Sequence, residues 1–185
     1  MMKIYIRVYL VALVVCSSLG WLQAQPAIYG TTPFGGGNGI GTLFKTDTDG
    51  TNHQTIFDFK SIGSAPSGLL LEVSPGKFYG TTPNYAGTTA GVIFEYDVAN
   101  SLYTEKFNFG GGDGYGPYGG LIKANNGKLY GLTLSGGANL VGVLFEYDYV
   151  NNVYAKKIDM SLTIGAYPIS SLYEASNGLL YGLAS

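Results

Sequence analysis

FYGTTPNYAGTTAGVIFEYD, residues 78 to 97, decides the fold, because the chain spells it three times. One period upstream stands IYGTTPFGGGNGIGTLFKTD (28 to 47), one period downstream LYGLTLSGGANLVGVLFEYD (129 to 148), and LYGLA (180 to 184) opens a fourth copy. Tyr29, Tyr79, Tyr130 and Tyr181 are 50, 51 and 51 residues apart, and Phe44, Phe94 and Phe145 each follow the first three tyrosines by 15 residues. Pro66, Pro117 and Pro168 keep the spacing, as do Leu70, Leu121 and Leu172 and then Gly76, Gly127 and Gly178. Self-similarity at a fixed period is the mark of a repeat architecture, in which each copy is one supersecondary unit stacked on the next.

Within each unit apolar and polar residues alternate. Phe94 and Tyr96 fall on one side of an extended chain, Glu95 and Asp97 on the other. Four such segments per unit, separated by Gly, Asn, Asp or Pro, read as half-buried strands. NNG (125 to 127) and SNG (176 to 178) tolerate the positive φ of tight hairpins, and the three repeated prolines lie outside the strands, where a missing amide proton costs nothing. Composition agrees: 29 glycines supply turns, and 16 tyrosines with 9 phenylalanines favour pleated surfaces over helices.

Four antiparallel strands in about 50 residues match one blade of a β-propeller of kelch-type length. The expectation is an all-β array of four-stranded antiparallel blades, a partial β-propeller of thirteen strands, counted as three full units and one further strand. A solenoid of stacked sheets is the alternative. Propellers close with about four to eight blades, so the sequence reads as the opening of a longer, truncated protein.

MMKIYIRVYLVALVVCSSLGWLQAQ carries Lys3 and Arg7, an apolar run, and Leu22-Gln23-Ala24. This predicts a secretory signal over residues 1–24 with cleavage after Ala24, and a mature repeat domain over 25–185 with no stable transmembrane span. A retained anchor would need about 20 uninterrupted apolar residues. Acylation at Cys16 would want a small residue before it, where Val15 stands. After cleavage no cysteine remains, so stability must come from packing. The mature chain would carry 8 bases against 12 acids, and without a basic stripe nucleic acid is excluded as a partner.

The glycine-rich PFGGGNGIGTLF (33 to 44) raises the question of a phosphate loop. A dinucleotide fingerprint opens a helix and a P-loop ends in G-K-[ST]; here Gly41 is followed by Thr42, Leu43 and Phe44, and PNYAGTTAG and LSGGANLVG at the same place lose several of the glycines. It reads as a strand connector. His53 is the only histidine, which removes Ser-His-Asp and multi-histidine sites. Asp47, Asp49 and Asn52 resemble a calcium loop without its twelfth-position Glu, and hairpin chemistry accounts for Asp49-Gly50. Glu95 with Asp97 and Glu146 with Asp148 are carboxylate pairs of the type that cleaves glycosides, yet Lys45 breaks the pattern in the first copy, and a solvated strand face explains them better. Tyr29, Tyr79, Tyr130 and Tyr181 either pack between blades or form a platform for sugar rings, and the glycine after each favours packing. No cofactor is expected.

GDGYGPYGGLIKANNGKLYGLTLSGGANLVGVLFEYD, residues 112 to 148, resembles the glycine-rich Gloeo/Verruco (GloVer) tandem repeat of secreted bacterial proteins nearly residue for residue. The first copy keeps YGTTPFGGGNGIGTLF, and the second has Pro83-Asn84-Tyr85 where a Gly pair is usual. The resemblance covers residues 27 to 185. It implies an exported, often surface-anchored array with no defined catalytic residues. The expected function is therefore a secreted or cell-surface, non-enzymatic scaffold for carbohydrate or protein at the cell envelope. Binding would sit on loops 33 to 41, 83 to 91, 110 to 118 and 134 to 141, with Asp113, Tyr115, Asn84 and Tyr85 as candidate contacts. The alternative is the N-terminal part of a propeller-based carbohydrate-active enzyme.

Overall fold

The computed structural model describes residues 27–60, 65–83 and 90–184. Thirteen strands run through them with no α-helix: β1 (Ala27–Thr32), β2 (Thr42–Asp47), β3 (Gln54–Asp58), β4 (Leu71–Ser74), β5 (Lys77–Thr82), β6 (Val92–Asp97), β7 (Leu102–Asn108), β8 (Ile122–Lys123), β9 (Leu129–Thr133), β10 (Val143–Asp148), β11 (Val153–Asp159), β12 (Tyr173–Glu174) and β13 (Leu180–Tyr181). They form four antiparallel sheets in chain order: β1-β2-β3, β4-β5-β6-β7, β8-β9-β10-β11 and β12-β13.

The blades begin one strand earlier than the motif KFYGTT suggests. Ser74 pairs with Lys77 across Pro75 and Gly76, so β4 turns straight into β5, and GGLIKA likewise joins the blade that follows it. The thirteen strands therefore divide as three, four, four and two, not as three full units and one strand.

The Tyr-Gly pair has a simple cause. Tyr79 lies opposite Glu95, and Gly80 lies opposite Phe94, whose ring lies across the glycine. A Cβ on Gly30 would stand 2.6 Å from Cζ of Phe44, and Gly131 is covered in the same way by Phe145. Gly and Phe fourteen residues apart thus make one cross-strand contact per blade.

Successive blades meet through two apolar seams of matching composition. Leu43 and Phe59 of the first blade pack on Val92, Phe94 and Tyr96 of the second. Ile93 and Phe109 of the second pack on Val143, Phe145 and Tyr147 of the third. Burying each such side chain stabilises by roughly 1.5–3 kcal/mol. At the outer edge Phe57 stacks on Tyr103 with ring centroids 4.5 Å apart, and one period on Phe107 stacks on Tyr154 at 4.0 Å.

At the inner edge no ring intervenes. A Cβ on Gly68 would lie 2.8 Å from Cα of Gly120, and Ser67 Oγ donates to the Tyr118 carbonyl (3.0 Å). Thr81 Oγ1 donates to the Gly119 carbonyl (3.0 Å). Backbone against backbone inside and stacked aromatics outside make each seam a wedge. The blades consequently fan about their inner strands, as in a propeller, rather than stacking at constant spacing as in a solenoid.

Candidate functional site

The up-and-down strand order sorts the connectors by end. The short hairpins, β2 to β3, β4 to β5, β6 to β7, β8 to β9, β10 to β11 and β12 to β13, share one end of the array. The longer connectors leave β1, β3, β5, β7, β9 and β11 at the other, and among the described residues they comprise 33–41, 59–60, 65–70, 83, 90–91, 109–121, 134–142 and 160–172. That loop end is the candidate site, since variable connectors on a rigid scaffold are where recognition concentrates.

The first loop shows why its glycines cradle no phosphate. The Gly37 amide donates to Asp58 Oδ1 (3.0 Å), Asn38 Nδ2 donates to the Phe59 carbonyl (2.9 Å), and Gly36 has no space for a side chain beside Asp58 and Thr42. In the third blade Ala138 donates to Asp159 Oδ1 (2.7 Å) and Asn139 to the Met160 carbonyl (2.8 Å). The loop amides are turned onto a carboxylate of the blade's own outer strand. Lys156 Nζ, 2.9 Å from Asp159, and the Ala138 amide hold that carboxyl below its ordinary range. Each loop is thereby pinned at an anion it already owns.

Residues 109–121 bridge two blades. Gly116 donates to the Ala90 carbonyl (2.8 Å) of the second blade and accepts from Leu134 (2.9 Å) of the third. Tyr115 and Ser135 exchange backbone bonds of 2.7 and 3.0 Å, and Gly137 donates to the Gly111 carbonyl (3.1 Å). Asp113 ends a single 3-10 turn, Gly111–Asp113, and its carbonyl accepts from the Tyr154 hydroxyl (2.7 Å). The repeated prolines set this geometry. Pro66, Pro117 and Pro168 press on Gly41, Gly91 and Gly142, and the residue before each, Ala65, Gly116 and Tyr167, has φ of 56, 65 and 49°. A left-handed alanine and tyrosine are costly conformations, held here by the Ala65 to Ile40 and Tyr167 to Val141 backbone bonds of 2.9 Å.

With the backbone fixed, Asp113, Tyr115 and Tyr118 face outward; Tyr115 is 46% and Tyr118 40% exposed, and Tyr167 is 48% exposed. Tyr118, inside the expected loop 110 to 118, and Tyr167, outside the expected loops, were not singled out by the sequence. Tyr118 stands where Ser67 and Ile169 stand in other copies, so only the placement of the loop reveals it. Asn84 and Tyr85 lie outside the described residues, as do Cys16 and the expected cleavage point at Ala24.

The four repeated tyrosines lie elsewhere. Tyr79 is buried in the second seam with its hydroxyl on Glu95, and Tyr130 gives its hydroxyl to Glu146. Tyr29 packs on Phe78 (centroids 4.6 Å apart), while exposed Tyr181 accepts from Asn177 Nδ2 (3.0 Å). Phe94 and Phe145 are fully buried and Phe44 half-buried. Glu95 and Glu146 are held among lysines in the seams: Lys106 lies 3.5 Å from Glu95, and Lys128 and Lys157 lie 3.4 and 3.5 Å from Glu146. His53 is exposed beside the Phe44 ring, and among the described residues no group of three His, Cys, Asp or Glu is placed to hold a metal. No helix among them is long and apolar enough to cross a membrane.

No curated relative matches the sequence. Among solved structures the chain is similar to TolB from Acinetobacter baumannii at 14% identity and a TM-score of 0.49, over 82% of this chain and 34% of that one. It therefore spans about a third of that chain's length. The repeat itself is more specific. The sequence model of the Gloeobacter/Verrucomicrobia repeat matches residues 17–185, a span that includes every blade described above, and the chain belongs to that family.

Proposed function

We propose that this is an exported, non-enzymatic repeat scaffold, periplasmic or at the cell surface, whose loop end binds carbohydrate or protein of the cell envelope. The observation that supports it is the division of labour between the two ends. Tight hairpins occupy one end, and at the other the exposed Tyr115, Tyr118 and Tyr167 stand with Asp113 on loops braced between blades. Aromatic rings on a braced surface give contact area at little entropic cost, and a nearby carboxylate supplies hydroxyl- or amine-directed hydrogen bonds.

Glycan-array and envelope-extract binding of the intact protein test the reading. Binding is expected, and it should fall at least tenfold in Tyr115→Ala/Tyr118→Ala, about the 1.4 kcal/mol that a truncated aromatic contact carries. Binding that is absent everywhere, or unchanged in that variant, overturns it. Fractionation with N-terminal sequencing tests export separately, with Gln25 as the expected first residue.

A further inference from the structure

The two ends of the array differ in charge as well as in shape. Charged side chains crowd in and beside the short hairpins, among them Asp47, Asp49, Glu72, Lys77, Asp97 and Asp148, whereas the sequence places only Lys60 and Asp113 between the strands joined at the loop end. Asp58 and Asp159, which border that end, are engaged by the amides of Gly37 and Ala138, and Asn38 and Asn139 by backbone carbonyls. Large apolar or aromatic side chains stand exposed there instead: Phe34, Leu69, Tyr115, Tyr118, Leu140 and Tyr167.

Leu140 bears most on the question of a partner. It is 72% exposed at φ 62°, in the position that Gly39 occupies in the first blade at φ 73°. Both loops fold with the same asparagine tether, so the loop does not require a leucine. A left-handed leucine costs backbone strain that glycine avoids, and no burial within the chain offsets it. Backbone bonds gather the tyrosines around this loop: Tyr115 pairs with Ser135, Leu134 donates to the Gly116 carbonyl, and Tyr167 donates to the carbonyl of Val141, next to Leu140.

We propose that the loop end docks on the loop end of a second copy of this chain, in a two-fold pairing that sets Asp113 of each protomer against Lys60 of the other. The inference rests on the loop end being the binding face, and it names the envelope protein bound there as the chain itself. Two observations select this occupant. A surface depleted of charge and rich in tyrosine has the composition of a protein interface core. A sugar would need free polar side chains, which these loops have already engaged, and leucine offers no ring on which to stack it. The second observation is charge complementarity. Lys60 and Asp113 are both exposed, opposite in sign, and without an ion pair among the described residues. A two-fold axis pairs each with the other across the interface, so the face complements itself without opposing like charges.

Sedimentation velocity of the full chain across protein concentration tests the pairing, and a closed monomer–dimer equilibrium is expected. Leu140→Gly should weaken the dimer about tenfold while leaving the urea midpoint unchanged or higher, because it relieves the strain. Asp113→Lys and Lys60→Asp should each weaken the dimer several-fold, and the double variant, which exchanges the two signs, should restore it. A chain that is monomeric throughout, a dimer indifferent to Leu140→Gly, growth into open-ended assemblies, or a double variant no better than the single ones would each overturn the proposal. A monomer that still binds envelope extract through Tyr115 and Tyr118 overturns the pairing alone and leaves the binding face standing. A monomer that binds neither extract nor glycan overturns both.

Discussion

A methyl group on Gly80 would lie 2.5 Å from Cζ of Phe94, because the phenyl ring rests across the glycine of the neighbouring strand. Phe94 cannot yield: it is fully buried, with Phe59 at 5.5 Å and Tyr103 at 5.4 Å. Gly80→Ala should therefore destabilise the protein by about 1–3 kcal/mol, the range for overpacking a core. Gly110→Ala is the control, since its backbone is extended and nothing lies within 4 Å of the added carbon. Its effect should stay within about 0.5 kcal/mol. Urea midpoints of the two variants check this, and equal midpoints would refute it.

Phe107 and Tyr154 lie 2° from parallel across the second seam, and the Tyr154 hydroxyl also holds the Asp113 carbonyl. A double-mutant cycle to leucine at both positions should return a coupling of about 0.5–1.5 kcal/mol. Tyr154→Phe keeps the stack and drops the tether, so its global stability should change by only about 0.5–1.5 kcal/mol. The loop around Asp113 should nevertheless become more susceptible to limited proteolysis. Unchanged cleavage there would show that the hydroxyl does not brace the candidate site.

Glu95 sits in the second seam with Tyr79, Lys106 and Lys77 around it, and Glu146 repeats the arrangement with Tyr130, Lys157 and Lys128. In the first blade the carboxylate and both lysines have changed together, to Lys45, Ala27 and Ile56. A carboxylate introduced alone by Lys45→Glu would meet Tyr29 without a cation, so it should lower the melting temperature. Adding Ala27→Lys and Ile56→Lys should restore most of the loss. A triple variant no better than the single one would show that the three positions do not act as a set.

The sequence made the period, the strand count and the shared strand position of Phe44, Phe94 and Phe145 legible, because each depends on alternation and spacing that survive in three copies. Blade phase was not legible. The tight turns at NNG and SNG are legible as hairpins, but the repeated Tyr-Gly strand marks the start of the unit in the sequence, and Pro75-Gly76 in the second copy lacks the Asn-Gly signal that would join β4 to β5. At the loop end Asp113 and Tyr115 could be read from their place in a glycine-rich connector. Tyr118 falls inside the loop 110 to 118 but no repeated residue type singles it out, and Tyr167 could not be read, since it is itself a left-handed residue before proline, a conformation that tyrosine does not announce. Asp58 and Asp159 were hidden for a related reason: a carboxylate 21 residues from the amide it binds reaches it only once the outer strand has folded back beside the loop.

Stability should fall at both ends of the pH scale, for groups of opposite kind. The Tyr130 hydroxyl and Lys128 hold Glu146 below its ordinary range, Lys156 does so for Asp159, and Asn151 holds half-buried Asp148 at about 2. A carboxyl depressed in the folded state contributes stability above its unfolded value, near 4, and loses it as pH falls through the folded one. At the alkaline end burial pushes the Tyr79, Tyr103 and Tyr154 phenols up, and Tyr147 to about 12. A phenol raised in the folded state gives full stability below its unfolded value of about 10, and loses it as pH climbs towards the folded one. Urea midpoints across pH should therefore be flat from about 5 to 9 and decline outside that window. Phenolate absorbance from the seam tyrosines Tyr79, Tyr103, Tyr147 and Tyr154 should rise late, together with unfolding. A single phase centred near 10, with the midpoint unaffected, would mean that the seams admit water and the tyrosines do not hold the blades together.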